Sequence, residues 1–411
     1  MLHGEPPRRE QGSGGGFEGS GRVRPGNGRA KQDMRGGWAK RGLVGAAVAA
    51  MLPFGVVAGP AAADTNPNAF DFYVDSSMGS VKTRIVRAAD GNTDRVVYLL
   101  DGERAQNDYN GWEIHTAIPA ALAKFNINVV MPVGGESSFY QDWDGPSSFG
   151  GSNPDANLFP SRDSGSAIAG WDETSGKSYT YQWETFLTQN LRDALRDRRG
   201  FSDSRNGIFG LSSGGSAALL FAAYHPDQFN YAGSLSGYLY MSAPGMRDAL
   251  RLALLAAGGY NIDSMAAAGS PKWQRMDPYG FVGNLVANNT RLYISAGSAV
   301  PAQQDLSSTD AVIQGMPLEG IALANTKAFQ SKLQGLNYDN VTYDLPTIGV
   351  HNWGNWEQAA NRMLPDIAQH IGKPLPPGAQ PAPPADGPGG AQPPNGEQPA
   401  GAPAPGPGPQ N

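Results

Sequence analysis

Residues 207–221 read Gly207-Ile208-Phe209-Gly210-Leu211-Ser212-Ser213-Gly214-Gly215-Ser216-Ala217-Ala218-Leu219-Leu220-Phe221, and this stretch decides the fold. Its centre fits Gly-x-Ser-x-Gly, with an apolar strand pattern before it and an apolar helix pattern after it. A bare five-residue pattern often marks nothing more than a glycine-rich turn with a helix-capping serine. Strand, tight turn and helix in that order are the context in which the serine is a nucleophile. The turn is sharp, so a Cβ at Gly210 or Gly214 would strike the neighbouring strand or helix. Ser212 then projects at the carboxyl edge of a sheet, where the helix N-terminus offers unpaired N–H groups to an oxyanion.

Working outward, residues 96–100, 127–132, 207–211, 231–235, 291–296 and 341–345 are short apolar runs that read as strands. Residues 182–198, 214–225 and 356–371 carry apolar side chains at helical spacing. Strands alternating with helices imply a mostly parallel central sheet covered on both faces. With the serine turn, the class predicted is an α/β-hydrolase fold without a separate cap domain. Residues 146–178 interrupt the pattern with Gly, Ser, Asn, Asp and Pro and read as a long surface insertion. One catalytic domain is expected over residues 64–372, followed at 373–411 by a Pro, Gly and Ala tail that cannot form a packed core.

The amino-terminal 63 residues read as an upstream extension and a signal peptide. Met34 opens a run with Arg35, Lys40 and Arg41, then an apolar stretch at 43–57 interrupted by Pro53, then Ala61-Ala62-Ala63. Charge, apolar core and small-residue cleavage site come in secretory order, so export to the cell envelope is expected, with no stable membrane span after processing. A formal charge of −6 gives no basic footprint for nucleic acid. The absence of cysteine excludes disulfides, thiol nucleophiles and thiolate metal sites, leaving a hydroxyl, carboxylate or amine to do any covalent chemistry.

A serine nucleophile needs a base and an orienting acid, which follow it in the order Ser, Asp or Glu, His. Of the histidines downstream, His225 ends the helix that leaves the nucleophile and His370 lies near the end of the last helix. His351 alone falls in a loop between the last strand and the last helix, at the carboxyl edge of the sheet. For the acid, Asp305, Asp310 and Glu319 all follow the strand at 291–296, whereas Asp339 and Asp344 are close to His351 in the chain. Pattern alone leaves those three open.

Several long segments resemble one known family, the mycolyltransferases of the antigen 85 group among the esterase D-like α/β hydrolases. They are YLLDGERAQNDYNGW at 98–112, VMPVGGESSFYQDW at 130–143, WETFL at 183–187, YHPDQFNYAGSLS at 224–236 and ANNTR at 287–291. The similarity covers nearly all of residues 70–372. It implies Ser212 as nucleophile, the Glu of Leu318-Glu319-Gly320 as acid and the His of His351-Asn352-Trp353 as base. It also implies an oxyanion hole from the backbone N–H groups of Glu103 and Ser213, and sugar contacts from Asp101, Arg104 and Trp353. At two positions where the family is expected to have Asn, this chain has His115 and Tyr240.

The activity the resemblance implies is transfer of a mycolyl group from trehalose monomycolate to a second trehalose monomycolate or to cell-wall arabinogalactan, without cofactor or metal. Two other readings share the fold: a secreted carboxylesterase, in which water takes the acyl group, and a non-catalytic paralogue that binds cell wall or host matrix protein. The second kind lacks the triad, whereas Ser212, Glu319 and His351 are all present here.

Overall fold

The computed structural model describes residues 68–147, 180–309 and 311–371. The extension and signal peptide, the tail, Asp310 and all but the first two residues of the insertion lie outside the described residues. Eight strands form one sheet: β1 (Ala69–Ser76), β2 (Gly79–Val86), β3 (Val96–Leu100), β4 (Asn128–Pro132), β5 (Asn206–Leu211), β6 (Phe229–Leu235), β7 (Arg291–Ser295) and β8 (Val341–Asp344). Their order across the sheet is β1-β2-β4-β3-β5-β6-β7-β8. The pairs from β4 to β8 are parallel, and the β1–β2 hairpin is added antiparallel at one edge.

The helices that matter for the site are α1 (Gly111–His115), α2 (Ile118–Lys124), α3 (Leu191–Arg199), α4 (Ser212–Tyr224), α5 (Met246–Gly258), α6 (Pro278–Ala287), α7 (Met316–Gly335) and α8 (Trp353–His370). Every residue of β3, Val-Val-Tyr-Leu-Leu, is buried, because successive side chains feed opposite faces and both faces are covered. Tyr98 and Leu100 join one core with α3 to α7, while Val97 and Leu99 join the other with α1, α2 and α8. The fold is therefore the α/β hydrolase read from the sequence, and among the described residues no separate cap domain is seen.

The order of the sheet fixes where a site can form. From β3 the chain crosses to β4 on one side, and β5 returns to pair with β3 on the other. Such a reversal opens a crevice beyond the carboxyl ends of the two strands. Asp101 to Arg104 leave β3 there, and Ser212 leaves β5 beside them.

Candidate active site

Ser212 adopts φ 52°, the left-handed region that a non-glycine residue enters only under constraint. The constraint is the turn from β5 into α4. A Cβ on Gly210 would run into Gly214 and Leu100, and one on Gly214 into the carbonyl of Asp101, so the two glycines let β3, β5 and α4 close around the serine. No side chain caps the N-terminus of α4. The Ser213 N–H, in the first turn of α4 and without a side-chain cap, has no carbonyl one helical turn back to bond and is placed to act as a donor.

His351 Nε2 lies 3.0 Å from Ser212 Oγ, and its Nδ1 lies 2.9 Å from Glu319 Oε2. Because an ionised carboxylate only accepts, Nδ1 carries the proton and Nε2 is free to take one from the serine. Glu319 is fully buried on α7, and its other oxygen is heavily occupied. That Oε1 accepts from Ser236 Oγ at 2.8 Å, from the Gly297 N–H in a short contact and from Asn355 Nδ2 at 3.4 Å. Trp356 Nε1 in turn donates to Ser236 Oγ at 3.1 Å. Trp356 meets the His351 ring edge-on at 4.9 Å and Tyr238 stacks on it at 6.3 Å, so the imidazole is held in plane as well as in tautomer.

Two of the other acids are placed elsewhere. Asp305 accepts from Asn352 Nδ2 at 2.9 Å and from the Ala302 N–H, and Asp344 pairs with Arg362. His225 pairs with Glu184 at 2.7 Å, and His370 Nδ1 turns to the carbonyl of Asp366. The structure thus brings Ser212, His351 and Glu319 together and sets Asp305, Asp344, His225 and His370 aside, while Asp310 lies outside the described residues. Sequence reading missed Ser236, Gly297 and Asn355, which hold Glu319; the only signal was Ser236 at the end of the quoted 224–236 segment.

Around this relay, Asp101 is buried and accepts from the Gly102 N–H at 2.9 Å and the Gly111 N–H at 2.6 Å. Burial outweighs these bonds and pushes its carboxyl up to about 6. Arg104 is exposed and makes no ion pair with Asp101; its Nη2 reaches Gln314 Oε1 at 3.3 Å. Trp353 lies half-buried between Trp112 at 5.6 Å and Trp356 at 5.4 Å, with His115 tilted over it at 4.7 Å. Tyr240 stacks on Tyr279 at 4.1 Å. No cluster of three or more His, Cys, Asp or Glu able to hold a metal occurs among the described residues.

Fold and site together define an enzyme of the α/β-hydrolase class. Residues 157–367 match the family described as Esterase. The chain is 36% identical over 335 residues to a diacylglycerol acyltransferase/mycolyltransferase, Ag85C of Mycobacterium avium, covering 80% of this chain and 87% of the relative. It is 37% identical over 354 residues to the Ag85A protein of Mycobacterium gordonae, covering 84% and 95%. Among solved structures, MPT51 (FbpC1) of Mycobacterium tuberculosis superposes with a TM-score of 0.59 at 27% identity, over 74% of this chain and 98% of that one. The chain belongs to the antigen 85 family, and it is an acyl-transferring enzyme on a hydrolase fold.

Proposed function

We propose that this protein is a secreted mycolyltransferase of the cell envelope, moving a mycolyl group from trehalose monomycolate to another trehalose monomycolate or to arabinogalactan. The relay of Ser212, His351 and Glu319 in a chain similar to diacylglycerol acyltransferase/mycolyltransferases is the observation that carries the reading. Ser212 attacks the ester carbonyl while His351 takes its proton, and Glu319 steadies the resulting imidazolium. The N–H groups of Glu103 and Ser213 hold the oxyanion, trehalose leaves with the proton from His351, and an acyl-serine remains. A sugar hydroxyl then attacks the acyl-serine while giving its proton to His351, the bond to Ser212 Oγ breaks, and His351 returns the proton to the serine. Arg104 and Trp353 meet the sugar, and the remaining lone pairs of Asp101 accept from its hydroxyls. The signal-peptide order of residues 34–63 supports the location.

Assay of the purified protein on a trehalose monomycolate donor, with and without added sugar acceptor, tests this. Acyl transfer that rises with acceptor is the expected result. Release of free acid alone, unchanged by acceptor, would make it a carboxylesterase, and no turnover with no labelling of Ser212 by a fluorophosphonate would make it a binding protein.

A further inference from the structure

Glu103 lends only its backbone N–H to the chemistry above, yet its side chain is unusually placed. The carbonyl of Glu103 accepts from the Ser137 N–H at 2.9 Å, which fixes the loop after β3. Its carboxyl oxygen Oε1 is sealed from solvent and has no hydrogen-bond partner. Gly102, next to Glu103 in the chain, lies against the nucleophile, since a Cβ there would stand 3.6 Å from Ser212 Cβ, so the Glu103 carboxyl hangs from backbone that borders the site. The other charged or titratable groups bearing on the site are Arg104 beside it, Asp101 just after β3, Glu319 on α7 and His351 before α8. Arg104 is turned outward to Gln314 and is the only cation of the set.

We infer that Glu103 is a positioning residue of the oxyanion hole that works in its neutral form: ionised, its carboxylate, one oxygen of which is sealed and unpartnered, opposes the negative charge that its own backbone N–H must help to hold. This rests on the acyl-enzyme reading. An ionised carboxyl with one oxygen shut away from water and from any donor is costly, and like charges close to it repel with reduced screening. Burial outweighs the pull of Arg104 and lifts the Glu103 carboxyl to about 7, so neutral Glu103 dominates below that value and is lost as pH rises through it. Loss of the neutral form gives the rate a falling limb on the alkaline side.

The rate of fluorophosphonate labelling at Ser212 reads this directly, since the phosphoryl oxygen takes the place of the oxyanion. Wild type is expected to show a falling limb near pH 7, and Glu103→Gln and Glu103→Leu to lack it. The ratio of Glu103→Gln to wild-type rate then climbs about tenfold per pH unit above the limb. Labelled wild type without a falling limb, or a limb that survives in a folded Glu103 variant, overturns the role of Glu103 and leaves the nucleophile standing. No labelling of Ser212 at any pH overturns both.

Discussion

The left-handed backbone of Ser212 is where structure and chemistry pull against each other, since a serine at φ 52° costs about 1–3 kcal/mol and glycine would adopt it freely. Ser212→Gly is therefore expected to raise thermal stability by about 1 kcal/mol while abolishing acyl transfer. Loss of stability in that variant would show that the hydroxyl, 3.0 Å from His351, contributes more to folding than the strain removes. Ser213→Ala, which keeps its N–H, should retain most of the rate. At the acid, Glu319→Gln is expected to lower kcat by about 10³–10⁴, because an amide at that position no longer fixes the tautomer of His351. Asp305→Asn should stay within about tenfold of wild type, its carboxylate being engaged with Asn352 and Ala302 rather than with the imidazole. An inverted pair of results would move the acid to Asp305.

Two glycines separate what an element needs from what it merely tolerates. Gly214, in the first turn of α4, faces backbone carbonyls of Asp101 and Leu100 that cannot withdraw, so Gly214→Ala should destabilise by about 3 kcal/mol or more. Gly283 is exposed within α6 with open space where its Cβ would go, so Gly283→Ala should stabilise by about 0.5–1 kcal/mol. Chemical denaturation of both variants checks the contrast, which fails if the two shift alike. The elements legible in the sequence are those like β3 and β5, whose apolar runs feed both cores. The β1–β2 hairpin was not, because Ala-Phe-Asp-Phe-Tyr-Val-Asp-Ser mixes charge with aromatic residues and turns at Ser77-Met78 without an Asn-Gly or Asp-Gly signal. The helices between β6 and β7 were likewise unread, and the π turn Phe186–Asn190 leaves no periodicity of its own. Of the candidate site, Ser212 is legible through its motif and His351 through elimination. Glu319 is legible only through the family resemblance and not through pattern, because what holds it is a hydroxyl from beyond β6 and an N–H from beyond β7, and only the fold joins those.

Across the whole molecule, the loops after β3, β5, β6, β7 and β8 meet at one edge of the sheet, so carboxyls that serve the site are buried at the expense of stability. Elsewhere a half-buried carboxylate does the reverse. Glu184 binds Arg275 at 2.6 Å and His225, the residue that ends the nucleophile helix, at 2.7 Å. Although burial opposes it, these partners hold Glu184 down at about 2, below its ordinary 4.5. That stabilisation, on the order of 3 kcal/mol, is present above about pH 4.5 and is lost as pH falls toward about 2. Glu103, raised from 4.5 to about 7, acts with opposite sign. Between those values the unfolded chain gives up the Glu103 proton and the folded one keeps it, so stability falls as pH rises through the interval and levels off above it. Asp101, raised to about 6, adds to the same slope. Unfolding free energies measured by denaturant from pH 2 to pH 9 should therefore separate two variants. Glu184→Gln should lose stability relative to wild type above about pH 4.5 and converge with it toward pH 2. Glu103→Gln should match wild type below about pH 4.5 and gain on it steadily until about pH 7, after which the difference is constant. A Glu103→Gln difference of the same size at every pH would mean that the carboxyl ionises no differently in the folded chain than in the unfolded one, and the electrostatic account of the oxyanion hole would lose its physical basis.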